Sequence, residues 1–330
     1  MANLHAAFLS AVRPVVARSF LAFLTAGAVL LAAACDRAAP GSGPAPAAGA
    51  PDVLTVVATT GMVADLAREV AGPHAQVTVL MGEGVDPHLY KASPSDIRAL
   101  EGADLILYSG LHLEGNMGEV LEKLASRKAV VAVTDGIPRD RLMAFGGSAD
   151  AHDPHVWFDV SMWAQCLPTV ERAFAKAAPQ HAADFASSRE RHAKELAALD
   201  AEVRAAVATI PKERRVLVTA HDAFGYFGRA YDVEVLGVQG MSTESEASLA
   251  DINALVETLV SRRVPAVFVE SSVSPRNIEA LRQGAASRGH TVRVGGSLFS
   301  DAMGAAGTPE GTYPGMVRHN VRTIVEALSH

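Results

Sequence analysis

Apolar positions along the chain fall into two kinds of run, and their alternation predicts the fold. Short β-branched runs at Val53–Ala58 and Val216–Thr219 are each followed by a stretch in which apolar residues return every three or four positions. These pass through Met62, Leu66 and Val70 in the first case and Phe224, Phe227 and Tyr231 in the second. A further apolar run closes each unit, at Gln76–Leu80 and at Val233–Val238. Strand, helix, strand in that order builds parallel strand pairs. Each half then repeats the theme. A helical pattern at Ser95–Glu101 leads to the strand Ala103–Tyr108, and one at Leu249–Val260 leads to Ala266–Val269. Nearly continuous apolar strands between amphipathic helices belong to sheets covered on both faces. The expected class is α/β, with two lobes that each hold a parallel sheet flanked by helices.

Between the halves, Pro179–Ile210 has no Gly or Pro after its first residue, and Phe185, His192, Leu196, Leu199, Val203 and Val207 recur at near-helical spacing. One helix of that length reaches on the order of 45 Å. It is long enough to run along both lobes and to stiffen their joint. The expected division is a first lobe over residues 53–178, a bridging helix over 179–210 and a second lobe over 211–330.

The first fifty residues follow different rules. Arg13 and Arg18 flank the start of an apolar stretch, Ser19–Leu31, that has no acidic residue, and small residues lead from it to Cys35. That is the pattern of an export signal over residues 1–34, removed on secretion. Leu31-Ala32-Ala33-Ala34 before Cys35 resembles a bacterial lipobox, with Ala32 where Leu is usual, so Cys35 is the expected lipidation site. Residues 35–52, mostly Ala, Gly, Pro and Ser, cannot build a core and read as a lipid-anchored flexible tether. No later apolar run is long and uninterrupted enough to span a bilayer. Cys166 is left without a partner, which excludes a disulfide within the chain. In its apolar helical surroundings it reads as a small buried hydrophobe.

Composition bounds the partners. With 330 residues, 49% of them apolar, the chain can bury two cores. Its net charge of -7, without a basic stripe, argues against nucleic acid.

Ligands of α/β sheets gather beyond the carboxyl ends of strands. Four metal-competent side chains lie there. His88 and His155 each close an Asp-Pro-His tripeptide, a turn able to hold an imidazole toward a cleft, and the second tripeptide precedes a helical stretch. His221 follows the strand Val216–Thr219, and Asp301 follows the strand-like run Thr291–Leu298. Three imidazoles and a carboxylate form a closed four-coordinate set that suits zinc and accepts manganese if the carboxylate is bidentate. Taken singly, each histidine is more often a turn-stabilising or half-buried residue. His5, His74, His181, His192, His290, His319 and His330 read as structural or solvated. His112, expected at the cleft rim, and His152, which lacks the Asp-Pro context, are closer competitors. Glu244 reads as a capping residue, whereas Glu246 and Glu270 stay open between packing and holding a ligating imidazole.

The stretches GVDPHLY, SGLHLEGNM, DPHVWFD, TAHDAFGYF, GMSTESEAS, FVESSV, LFSDAMG and GTYPGMVRHN, in that order, resemble one family. It is the cluster A-I metal-binding lipoproteins (metal solute-binding protein family 9), the zinc- and manganese-binding components of bacterial ABC importers. The resemblance implies two α/β lobes joined by a long helix, with metal held in the cleft by His88, His155, His221 and Asp301. It implies a monomeric solute-binding protein rather than an enzyme, on the periplasmic or cell-surface face of the cytoplasmic membrane. One Zn(II) or Mn(II) ion per chain would be carried to an ABC transporter permease. Manganese-selective members usually have Glu where this chain has His221, a departure that shifts preference toward zinc. Many zinc-specific members carry a long His-rich loop before the second ligand, and here Asp135–Asp150 is short and has no histidine. The metal therefore stays open between the two. Two rival functions are a zinc-dependent hydrolase and a surface adhesin lipoprotein. The first would need an open coordination position and a general base, and neither a His-Glu-x-x-His helix nor a Gly-x-Ser-x-Gly elbow occurs. The second would not need a closed metal site.

Overall fold

The computed structural model describes residues 53–145 and 148–329. The export signal, the tether and Cys35 lie outside the described residues. In the first half, β1 (Leu54–Thr60), α1 (Gly61–Ala71), β2 (Ala75–Met81), α2 (Pro94–Gly102), β3 (Leu105–Tyr108), α3 (Gly118–Ala125) and β4 (Ala129–Ala132) build a sheet of order β2-β1-β3-β4. All its pairs are parallel. Its central strand explains the apolar run: six of the seven residues of β1 are buried, because helices cover both faces. Thr60 turns the chain from β1 into α1, its hydroxyl accepting from the Val63 amide.

A small antiparallel hairpin follows, β5 (Ala144–Phe145) with β6 (Ser148–His152), then α4 (Val160–Trp163) and α5 (Leu167–Ala177). The bridging helix α6 spans Ala182–Ala208, 27 residues or about 40 Å. It is shorter than the periodicity suggested. Pro179–His181 forms a separate 3₁₀ turn, and Pro211 lies just beyond the other end. Its buried residues are Phe185, His192, Leu196, Leu199, Val203 and Val207, the stripe expected from spacing.

The second half runs β7 (Val216–His221), α7 (Gly225–Tyr231), β8 (Glu234–Gln239), α8 (Leu249–Ser261), β9 (Ala266–Glu270), α9 (Arg276–Ser287), β10 (Arg293–Leu298) and α10 (Tyr313–Leu328). Strands pair in parallel as β7 with β8 and β9 with β10, and β7 packs beside β9. The two hydrogen-bonded pairs thus lie side by side in the spatial order β8-β7-β9-β10, the order of the first sheet repeated. α6 packs on α1, α4 and α5 of the first half and on α7 and α10 of the second.

One hydrophobic cluster runs through both halves, joining Leu54, Val56, Trp157, Trp163 and Phe185 to Leu217, Phe224, Phe268 and Tyr313. Cys166 is fully buried, in a short 3₁₀ turn rather than an α-helix. Polar ties reinforce the joint: Tyr313 donates to the Trp157 carbonyl (2.6 Å), Tyr226 to the Asp153 carbonyl (3.0 Å) and Trp157 Nε1 to the Ser300 carbonyl (3.1 Å).

Candidate metal centre

Each of the four candidate ligands sits where a strand or a tight turn leaves it with a fixed backbone. His88 is on the loop after β2, where its amide donates to Asp86 Oδ1 (2.8 Å), an Asx turn that Pro87 stiffens. His155 repeats the device, its amide donating to Asp153 Oδ1 (2.9 Å). The segment after it is a 3₁₀ turn, Val156–Phe158, before the short α4. His221 is the last residue of β7 rather than a residue beyond it, because Ala220 and His221 continue the strand past Thr219. Asp301 follows β10 on a loop pinned to α10 by Asn320, which accepts from the Phe299 amide (2.9 Å) and donates to the Phe299 carbonyl (2.7 Å).

The fold brings these four together. One donor atom from each lies within 4.8 Å of the others, and the residues are only 0–4% exposed. His88 Nε2 is 3.3 Å from His155 Nε2, His155 Nε2 is 3.3 Å from Asp301 Oδ1, and His221 Nε2 is 3.3 Å from Asp301 Oδ2. A tetrahedron with bonds of about 2.0 Å has edges of about 3.3 Å. The three contacts therefore have the length expected between donors sharing one small ion. The two contacts to Asp301 do not have the geometry of hydrogen bonds: His221 Nε2 and both oxygens of Asp301 are buried with no hydrogen-bond partner, and only the His88–His155 pair is within hydrogen-bonding reach. Buried polar atoms of this kind are rare and costly, and a cation among them would satisfy all three. Since Asp301 turns one oxygen toward each of two imidazoles, it could serve a four-coordinate ion through one oxygen or a larger, oxygen-preferring ion through both.

Two imidazoles are held from behind by carboxylates. Glu270, at the end of β9, uses both oxygens on His221: Oε1 accepts the backbone amide (2.9 Å) and Oε2 lies 2.5 Å from Nδ1. Asp153 uses one oxygen twice, Oδ1 accepting the His155 amide and lying 2.8 Å from His155 Nδ1, while its Oδ2 has no partner. Both contacts fix the tautomer that leaves Nε2 free to face the centre. Of the two glutamates the sequence left open, Glu270 is therefore a partner of a candidate ligand. Glu246 is exposed. The role of Asp153 and of Asp86 was not anticipated, although each stands two residues before its histidine in a repeated tripeptide. Asp86 also receives the Thr243 hydroxyl (2.6 Å), tying the loop after β8 to the His88 loop, and Asn116 donates to the His88 carbonyl (2.9 Å).

The electrostatics separate the imidazoles. Burial pushes His88 down to about 4, aided by the two neighbouring imidazoles and opposed by Asp301. Burial also acts against protonated His155, but the hydrogen bond to Asp153 and the negative charges of Asp153 and Asp301 outweigh it and raise the ring to about 9. His221 is raised well above the ordinary value, because Glu270 and Asp301 overcome its burial. Asp301 is held well below the usual carboxylate range, the facing imidazoles outweighing its burial. The carboxylates of Asp153, Glu270 and Asp301 thus favour the protonated forms of His155 and His221, which a cation at the centre would replace.

His112 and His152 lie outside the cluster. With His88, Met241 and Glu244 they line a cavity of about 290 Å³.

Three comparisons place the chain among known proteins. The family model for ZnuA, the periplasmic zinc-uptake complex component A, matches residues 56–327. The manganese-binding lipoprotein MntA of Bacillus subtilis (strain 168) is 50% identical over 275 residues, 83% of this chain and 90% of the relative. The zinc-binding protein TroA of Treponema pallidum (strain Nichols) is 50% identical over 289 residues, 88% of this chain and 92% of the relative. The solved structure of the periplasmic zinc binding protein TroA from Treponema pallidum superposes with a TM-score of 0.82 at 49% identity, covering 84% of this chain and 99% of that one.

Proposed function

The chain belongs to the ZnuA family of periplasmic zinc-uptake components, and from that premise we propose that it is a solute-binding protein that captures one Zn(II) or Mn(II) ion per chain. His88, His155, His221 and Asp301 hold the ion as cargo, and the loaded chain delivers it to an ABC transporter permease in the cytoplasmic membrane. It acts as a monomer outside that membrane, anchored by lipid on Cys35. Among the described residues no helix is long and apolar enough to cross a membrane. Relatives include proteins named as manganese-binding and metal ABC transporter substrate-binding lipoproteins.

The observation that carries the reading is the buried, unpartnered carboxylate of Asp301 at tetrahedral separations from His155 Nε2 and from the equally unpartnered His221 Nε2. Nitrogen-rich donors at that spacing favour zinc over manganese. Four protein donors leave no position for the activated water a hydrolase requires. An adhesin would have no use for four buried donors.

Calorimetric titration of the metal-free chain with zinc and with manganese, with elemental analysis of the product, tests the reading. One tight equivalent is expected, lost in Asp301→Ala. Tight binding that survives Asp301→Ala, or no tight binding in the unaltered chain, would remove the basis for it.

A further inference from the structure

The loop after β8, residues 240–248, leads into α8 through Ser248 at its N-cap and holds no helix or strand of its own. Its residues are exposed or half-buried with one exception, Thr243, which is 8% exposed. That residue is anchored twice. The buried Gln239, last residue of β8, donates through Nε2 to the Thr243 carbonyl (3.2 Å) and to the Ser245 carbonyl (2.9 Å), fixing where the loop turns. The Thr243 hydroxyl donates to Asp86 Oδ2 in the first half (2.6 Å), a length that belongs to a hydroxyl bonded to an ionised carboxylate. Among the described residues it is the only hydrogen bond between the His88 loop and the second half.

Asp86 Oδ1 accepts the His88 amide (2.8 Å), so one carboxylate joins a candidate ligand of the first half to a loop of the second. His88 depends on that support more than the other imidazoles do. His155 and His221 each have a carboxylate at Nδ1, from Asp153 and Glu270 respectively. Among the described residues no carboxylate is hydrogen-bonded to the His88 ring, and its other backbone restraint is Asn116, which donates to its carbonyl (2.9 Å). The ring is therefore oriented by the backbone of its loop, and Asp86 orients that backbone.

We propose that Thr243 is a positioning residue for His88, and that residues 240–248 act as a strap across the cleft that sets how fast the ion is released. The proposal rests on the four-ligand reading of the centre. With the strap fastened, His88 Nε2 stays 3.3 Å from His155 Nε2, the separation that suits a shared ion. Without the Thr243 hydroxyl, Asp86 keeps the His88 amide but loses its tie to the second half. The loop bearing His88 then moves independently of the lobe bearing His221 and Asp301. His88 is the first donor to leave, because its ring alone has no carboxylate behind it. Three remaining donors leave a position open to water or to a competing ligand. Since Thr243 does not belong to the donor set, its loss acts on residence time, through His88.

The test loads the full mature chain with one equivalent of zinc and follows its release to an excess of a chromophoric chelator. Thr243→Val keeps the shape of the side chain and removes the hydroxyl, and release should quicken about tenfold, the lower end of the ~10–100-fold that supporting partners of a ligand are worth. Thr243→Ala should do the same. Both should keep a cooperative melting curve without metal, since the position lies in a loop without regular structure. Thr243→Ser retains the hydroxyl and should restore slow release. In a His88→Ala chain, which releases zinc quickly on its own, adding Thr243→Val should give no further acceleration, a coupling that a general loosening of the structure would not show. Unchanged release in the valine and alanine variants, fast release in the serine variant, or full acceleration in the His88→Ala background would overturn the proposal. Tight zinc binding with release indifferent to Thr243 removes the strap alone, whereas a chain that binds no zinc removes the reading of the centre and the strap with it.

Discussion

The two carboxylates behind the candidate ligands look equivalent in composition and should behave differently when neutralised. At Glu270 both oxygens are engaged, Oε1 by the His221 amide and Oε2 by His221 Nδ1. In Glu270→Gln one oxygen becomes an NH2 group, which can accept from neither. Whichever way the amide is turned, a donor faces a donor, or the His221 ring must adopt the tautomer with its proton on Nε2 and cease to be a ligand. At Asp153 a single oxygen accepts both His155 contacts and the other has no partner. In Asp153→Asn the retained oxygen can keep both contacts, with the NH2 group occupying the place of the unpartnered oxygen. Only the charge is lost. Loss of such a supporting group costs ~10–100-fold in metal affinity. We place Asp153→Asn near the lower end, about 1.4 kcal/mol, and Glu270→Gln at or above the upper end, about 2.7 kcal/mol. Competition against a chelator of known affinity, at fixed pH, measures both. Equal losses in the two variants, or a larger loss at Asp153, would refute the hydrogen-bond argument.

The same contact modifies what a glutamate at position 221 would do. His221→Glu sets a carboxylate against Glu270 in a buried site, so it should weaken zinc strongly and manganese as well, while adding Glu270→Gln should restore manganese selectively. A competitive titration in which the single and double variants have the same zinc-to-manganese ratio would count against this. For pH, His155 is raised to about 9 and His221 well above its ordinary value. Their protons stabilise the apo fold below the unfolded value near 6.5, and that contribution is lost as pH climbs through the raised values. Metal must displace the same protons, so its affinity should increase from about pH 6.5 to about pH 9. Near pH 7 up to about two protons should be released per ion, visible as a dependence of calorimetric heat on buffer ionisation enthalpy. Gly237→Ala would drive a Cβ to 2.5 Å from the Asp222 amide, against backbone. A loss of about 1–3 kcal/mol, or about 2–12 °C in melting temperature, is expected by thermal denaturation. Cys35→Ala should move the chain from the membrane to the soluble fraction, and unchanged fractionation would end the anchor proposal.

How much of this was legible in the sequence depended on whether a signal was periodic or required a partner. The buried face of α6 was read residue for residue, because a 27-residue helix repeats its apolar stripe enough times to be unambiguous. Its ends were not, since the 3₁₀ turn at Pro179–His181 continues the same spacing. The hairpin β5–β6 escaped notice because its strands are short, two and five residues. The end of β7 lies two residues beyond the predicted one, because the β-branched run stops at Thr219 while Ala220 and His221, both fully buried, continue the strand without it. The four candidate ligands were legible because strand ends and a repeated tripeptide mark them. Their supporting carboxylates were undecided or missed, since that role is a relation between segments far apart in the chain.

One such relation was nevertheless implicit in the repeat of the two halves. With the sheet order β2-β1-β3-β4 in the first half and two strand pairs packed in the order β8-β7-β9-β10 in the second, the carboxyl end of the first strand in each half emerges beside that of the third. There the sheet ends, and backbone amides lose their strand partners. In the first half the buried Glu114 answers this: it accepts from the Thr59 hydroxyl and the Ser109 amide (2.7 Å each) and from the Gly110 amide (3.2 Å). In the second half Glu270 ends β9 and accepts from the amide of His221, the residue that ends β7. Both halves thus meet the same topological demand with a buried glutamate, whose desolvation is offset by charge-assisted hydrogen bonds to neighbouring donors. The halves differ in what stands on the first strand. Where the first has a threonine, the second has an imidazole, and a carboxylate that elsewhere only closes a sheet is turned into the group that orients His221 toward the centre.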